Sequence, residues 1–184
     1  MGTHGFVDRV GFVGALSLFR MTPVIQHVDR SLATAVSMFV DAISTHEREE
    51  FDHALDEIEQ CSTRIGASQV VFLDREFYVH TVAILCGYIA HTSLEDRARL
   101  IRTVAADFWG SVDALLDDRG SVPGLELDDT LKGIEMRWLD RDWDTFQAPA
   151  GLTLLYDARV TSIAGTFGVR KRIAAHAAQV AGWV

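Results

Sequence analysis

Apolar positions recur at three- and four-residue intervals along most of the chain, the period of a single helix face. After Thr22-Pro23, residues Val24, Ile25, Val28, Leu32, Ala35, Val36, Phe39 and Ile43 follow this spacing. They predict an amphipathic helix to about residue 42, begun by a capping threonine with proline in the first turn. Ser44-Thr45-His46-Glu47 has the capping-box pattern and opens a second helix, whose stripe Phe51, Leu55, Ile58, Ser62 and Ile65 stops at Gly66. A third helix, about 68–91, is apolar on nearly every side from Val79 to Ala90, the pattern of a helix surrounded by others. Thr92-Ser93-Leu94-Glu95 is a second capping box and starts a fourth helix to about Leu116. Gly120, Pro123 and Gly124 mark a loop. Helices are predicted again over about 127–146, 152–164 and 169–181, and an initial one over 6–20 despite Gly11 and Gly14. Strand alternation is confined to fragments such as Gln69–Leu73, with no hairpin signature. The expectation is an all-α, single-domain bundle of about six to eight helices spanning residues 1–184, with helix 68–91 at its centre.

Composition narrows the partners. A chain of 184 residues with 48% apolar and 23% charged residues can bury one sizeable core and is not a disordered sequence. Its net charge of -9 repels phosphate backbones, and the short run Arg170-Lys171-Arg172 does not reverse that field, so nucleic acid is not an expected partner. Cys61 and Cys86 sit within apolar helical patterns rather than in a close pair, as reduced core residues of a cytoplasmic protein do. The run Val79–Ala90 contains His80 and falls short of the roughly 20 residues that span a bilayer, and no membrane association is expected.

The main candidate site lies on the third helix. Glu76, His80, Gly87 and His91 fall within about 60° of one another on a helical wheel, with Ile84 on the same stripe. Gly87 leaves a hollow that a ligand or a neighbouring backbone could enter. The two histidines are eleven residues apart, about 16 Å along a helix, so they cannot share one metal ion; His80 or His91 could each ligate a metal or haem separately. The competing reading makes His80 a hydrogen-bonded core residue and His91 a helix-end residue favoured by the macrodipole.

Other clusters are weaker. His46, Glu50, His53 and Glu57 line one face but lie opposite the Phe51/Leu55/Ile58 stripe, as a solvated face does, and the E-x-x-H spacing Glu50–His53 has no second copy. Asp140, Asp142 and Asp144 alternate as in a calcium loop, but Thr145 and Gly151 occupy the positions that need glycine and glutamate. Trp138 and Trp143, five apart on an acidic helix, do not share a face. One is expected in the core and the other partly exposed, and the helix that carries Trp138 and Trp143 is the best candidate for a partner contact.

Asp74-Arg75-Glu76-Phe77-Tyr78 resembles the D-x-x-F-H stretch in the helical effector domains of FadR-type regulators, with Tyr78 where that family has a metal histidine. Ile89-Ala90-His91 with Glu95 and Arg97 resembles the hairpins of TerB-type tellurite-resistance domains. Each likeness covers one helix or hairpin, and no residue role is transferred from either. With no nucleophile elbow, phosphate loop, Rossmann fingerprint or zinc motif, the expectation is a non-enzymatic regulatory or sensory domain that binds a small molecule or a protein partner. The alternatives are a haem- or metal-binding protein using His80 or His91, and a structural homo-oligomer.

Overall fold

A computed structural model of the chain describes residues 7–65, 74–91, 95–119, 122, 127, 129–145 and 167–183. Seven helices are described: α1 (Arg9–Val28), α2 (Arg30–Thr45), α3 (Arg48–Ile65), α4 (Arg75–Ala90), α5 (Arg97–Arg119), α6 (Leu131–Thr145) and α7 (Phe167–Ala181). No strand occurs among the described residues, and the fold is an all-α bundle. The helix predicted over 152–164 and the loop residues Gly120, Pro123 and Gly124 lie outside the described residues, as do residues 68–73 of the predicted third helix. No described helix is long and apolar enough to cross a membrane.

The first boundary differs from the sequence pattern. Thr22-Pro23 does not start a helix: α1 runs through it to Val28, and the Thr22 hydroxyl is buried without a partner instead of capping a helix end. The chain breaks at Asp29, whose extended backbone (φ -153°) ends α1 while its carboxylate accepts from the Leu32 amide at 2.9 Å, capping α2. Proline tolerates an interior position here because α1 is held by packing on most sides. Similarly, Ser44 is not a cap. It lies inside α2 and bonds back to the Val40 carbonyl, and the turn is made by His46 in the left-handed region (φ 60°).

Among the described residues, α1 packs against α2, α4, α5, α6 and α7, and the more uniformly apolar α4 packs against α1, α3 and α5. Its N-terminal half is buried almost all round, from Gly11 to Leu18. Gly11 and Gly14, which weaken the helix intrinsically, permit this crowding. A Cβ on Gly11 would stand 2.8 Å from the Ile89 carbonyl oxygen, and one on Gly14 would stand 2.8 Å from the Ile89 side chain and 3.1 Å from Ile101. The Asp8 carboxylate caps α1 through the Gly11 amide and also pairs with the buried Arg97, which pins the start of α5 to the start of α1. Asp113 on α5 does the converse for α6, accepting from the Leu131 and Lys132 amides at 2.8 and 2.9 Å.

Tyr78 on α4 is fully buried between Phe108 and Trp183, with both rings edge-on to it. Its hydroxyl completes no hydrogen bond. The Ser111 hydroxyl stands near enough to ease the phenol's ionisation, but Ser111 donates to the Phe108 carbonyl at 2.6 Å. Burial pushes the phenol up from 10.0 to about 12. Between those values the unfolded chain releases the proton while the folded chain keeps it. The stability tied to Tyr78 is therefore complete below pH 10 and is lost as pH rises towards 12. Tyr78→Phe is expected to leave stability at neutral pH unchanged or raise it by up to about 1 kcal/mol, because the deleted hydroxyl has no partner. Denaturant titrations should also show a shallower alkaline decline for the variant than for wild type. An equally steep decline would place the alkaline transition elsewhere.

Candidate functional site

Two features converge on α6. The first is a cluster of buried charges. On α1, Ser17 and Arg20 are three residues apart and share a face; on α6, Glu135 and Asp142 occupy inward positions alongside Leu131 and Leu139; α7 contributes Arg170. Glu135 has no exposed surface, and Arg20, Asp142 and Arg170 are each at most 6% exposed. Glu135 accepts from the Ser17 hydroxyl at 2.7 Å, from Arg20 Nε and Nη2 at 3.0 and 2.8 Å, and from Arg170 Nη2 at 3.2 Å. Arg20 Nη1 donates to Asp142 at 2.7 Å. The guanidinium of Arg170 also lies 4.7 Å from the centre of the Trp109 ring.

Burial alone works against every charge in this group, and the directions of shift show who compensates whom. Burial lowers Arg20, but the adjacent Glu135 and Asp142 outweigh it, and Arg20 holds its proton more tightly than usual. Arg170 has fewer close carboxylate contacts, and burial pulls it below its ordinary value. Burial raises Asp142 despite the neighbouring Arg20.

The second feature is an open groove of about 260 Å³ between the N-terminal halves of α1 and α5 and the C-terminal half of α6. Val10, Val13, Ile101, Leu139 and Trp143 give it apolar walls, and Arg99, Arg102 and Asp140 stand at its charged edge. Trp143 is 37% exposed, and the Arg9 guanidinium lies 3.9 Å over its ring while donating to its backbone carbonyl. Both Nη atoms of Arg102 donate to Asp140, the second at 3.3 Å. This pairing depresses the Asp140 carboxyl below its ordinary value. The alternating aspartates thus diverge: Asp142 points into the buried cluster, Asp140 to the groove and Asp144 to solvent.

The stripe on α4 lies on that helix's open side. Ile84 is 48% exposed, His91 is exposed at the helix end, and nothing among the described residues stands within 4 Å of a Cβ placed on Gly87. Glu76 is half-buried. His80 shares a hydrogen bond of 2.8 Å with Ser62 of α3 through Nδ1, and its Nε2 is closed off from solvent with no partner. Among the described residues, no three His, Cys, Asp or Glu side chains come together as a metal would require. His46, Glu50 and His53 are exposed, and His53 pairs with Glu57 at 3.5 Å. Trp138 is half-buried between the guanidinium groups of Arg20 and Arg141, at 5.9 and 4.9 Å.

The sequence pattern points to the helix carrying Trp138 and Trp143 but not to the meeting of Arg20, Glu135 and Arg170. The signal was there: Arg20 interrupts an otherwise apolar segment, and Glu135 stands between Leu131 and Leu139 on an inward-facing stripe. A charge at a core-facing position calls for an opposite charge on another helix. The chain matches no protein-family model, no curated protein and no solved structure.

Glu135→Gln leaves Arg20 and Arg170 with too little negative charge in the interior. Chemical denaturation should show a loss of about 3–5 kcal/mol. By contrast, breaking the exposed Arg48–Asp52 pair with Asp52→Asn should cost less than about 1 kcal/mol. Equal effects would show that the buried cluster is not what holds α6.

Proposed function

We propose that this chain is a non-enzymatic helical binding domain of regulatory or sensory type, with its site in the groove between α1, α5 and α6. One observation carries the reading: a tryptophan, Trp143, stands 37% exposed in the wall of an open, largely apolar groove of about 260 Å³. That volume lies near the lower end of the range of small-molecule sites, about 300 Å³, so it suits a small ligand. The regulatory part of the reading rests on α6 having two working faces. Leu139, Asp140 and Trp143 line the groove, while Glu135 and Asp142 engage Arg20 and Arg170 inside. An occupant that displaces α6 therefore acts directly on the buried ion pairs, and a shift of this helix is a means of passing occupancy to the rest of the bundle.

Titration with N-phenyl-1-naphthylamine, an uncharged apolar fluorophore, tests the site. Saturable binding with energy transfer from tryptophan is expected. Trp143→Ala should weaken it about tenfold, and Ala98→Trp, which fills the groove, should abolish it. Binding that does not saturate, or that ignores both substitutions, would remove the groove as a ligand site.

One observation favours a second reading, haem or a metal ion held by His80: the Ser62 contact at Nδ1 orients the ring as outer partners do for ligating histidines, and Nε2 is left without a partner. The groove is preferred because it is open, whereas Nε2 is sealed. Absorption spectra after hemin addition, with elemental analysis, decide between them: a ligated-haem band or stoichiometric metal that His80→Ala removes would favour the histidine.

A further inference from the structure

The charges at the groove, on the reading that it is a ligand site, narrow what it takes. We infer that its occupant is an anionic amphiphile, a short apolar body carrying a single carboxylate head that Arg102 receives in place of Asp140. The apolar part follows from Val10, Val13, Ile101, Leu139 and Trp143, whose aliphatic and aromatic surfaces favour an apolar body. The head follows from three observations. The charged residues lining the groove are Arg99, Arg102 and Asp140, so two guanidinium groups and one carboxylate face it on a chain whose net charge is -9. Arg102 already presents both Nη atoms to a carboxylate at the groove's edge, the fork geometry that guanidinium groups use for this anion. Finally, the resident pair is open to solvent: the Arg102 and Asp140 side chains are 46% and 60% exposed, so an incoming carboxylate reaches Arg102 and exchanges with Asp140 like for like. Arg99 is more accessible still, 70% exposed and paired at the surface with Asp96. An ammonium head in the same place would face two guanidinium groups, and a hydroxyl head would gain only the apolar contacts.

The test is displacement of N-phenyl-1-naphthylamine from the full chain at neutral pH by octanoate, octanol and octylammonium, which share an apolar body and differ in the head. Octanoate is expected to compete at about tenfold lower concentration than octanol, although octanol is the more apolar, with octylammonium the weakest. Arg102→Gln should abolish octanoate's advantage and leave octanol unchanged. Asp140→Asn should strengthen octanoate severalfold, again without moving octanol, because it removes the competing carboxylate. Both substitutions are at exposed positions, and circular dichroism confirms that the helices persist. Octanol equalling or surpassing octanoate on the wild-type chain would overturn the carboxylate assignment while the groove stands. An Asp140→Asn variant no tighter for octanoate would overturn the exchange at Arg102. Absence of saturable fluorophore binding would overturn the site itself, and the inference with it.

Discussion

Glu135 is the residue on which the packing of three helices depends. Its carboxylate has no exposed surface and is met by Ser17 and Arg20 from α1 and by Arg170 from α7, while Asp142, two turns further along α6, takes the remaining arm of Arg20. Removing such charges from water is costly, and their mutual attraction offsets that cost only where the geometry is satisfied. The consequence is specificity more than strength. Sliding α6 by one turn, or rotating it by a third, would bury a carboxylate without a cation, so one register of α1, α6 and α7 is strongly preferred. The apolar side chains around them, which pack with less directional demand, could not select that register alone.

This constraint also shapes the groove. With Glu135 and Asp142 turned inward, the intervening and following residues Leu139, Asp140 and Trp143 are carried to the junction with α1 and α5. Asp140 then meets Arg102, and Trp143 meets Arg9. The same helix thus joins a costly, fixed set of interior ion pairs to a solvent-exposed pair at an open groove.

Periodicity made the helical class legible, along with the approximate place of most helices, because side-chain direction repeats with the helix whatever the helix packs against. Termini were less legible. Thr22-Pro23 and Ser44–Glu47 have the composition of helix starts, yet packing around α1 carries the first through, and α2 extends over Ser44 to a left-handed turn at His46. The apolarity of α4 marks a well-packed helix but does not say how closely α1 approaches it. Gly11 and Gly14 decide that question, since they let α4 and α5 approach α1 more closely than any side chain would permit. The spacing of Trp138 and Trp143 separates their faces without saying which is exposed; the groove was not legible, because α1 joins the consecutive helices α5 and α6 only in the folded chain.

What the chain determined by itself is local: helices and their apolar stripes, an acidic surface, and charges such as Arg20 and Glu135 placed on stripes that otherwise face inward. Only the tertiary structure decided which of those charges meet. Arg20 and Glu135 are 115 residues apart, and Arg102 and Asp140 are 38 apart. The energy of a charge pair depends on distance and burial, neither of which is a property of a sequence position alone.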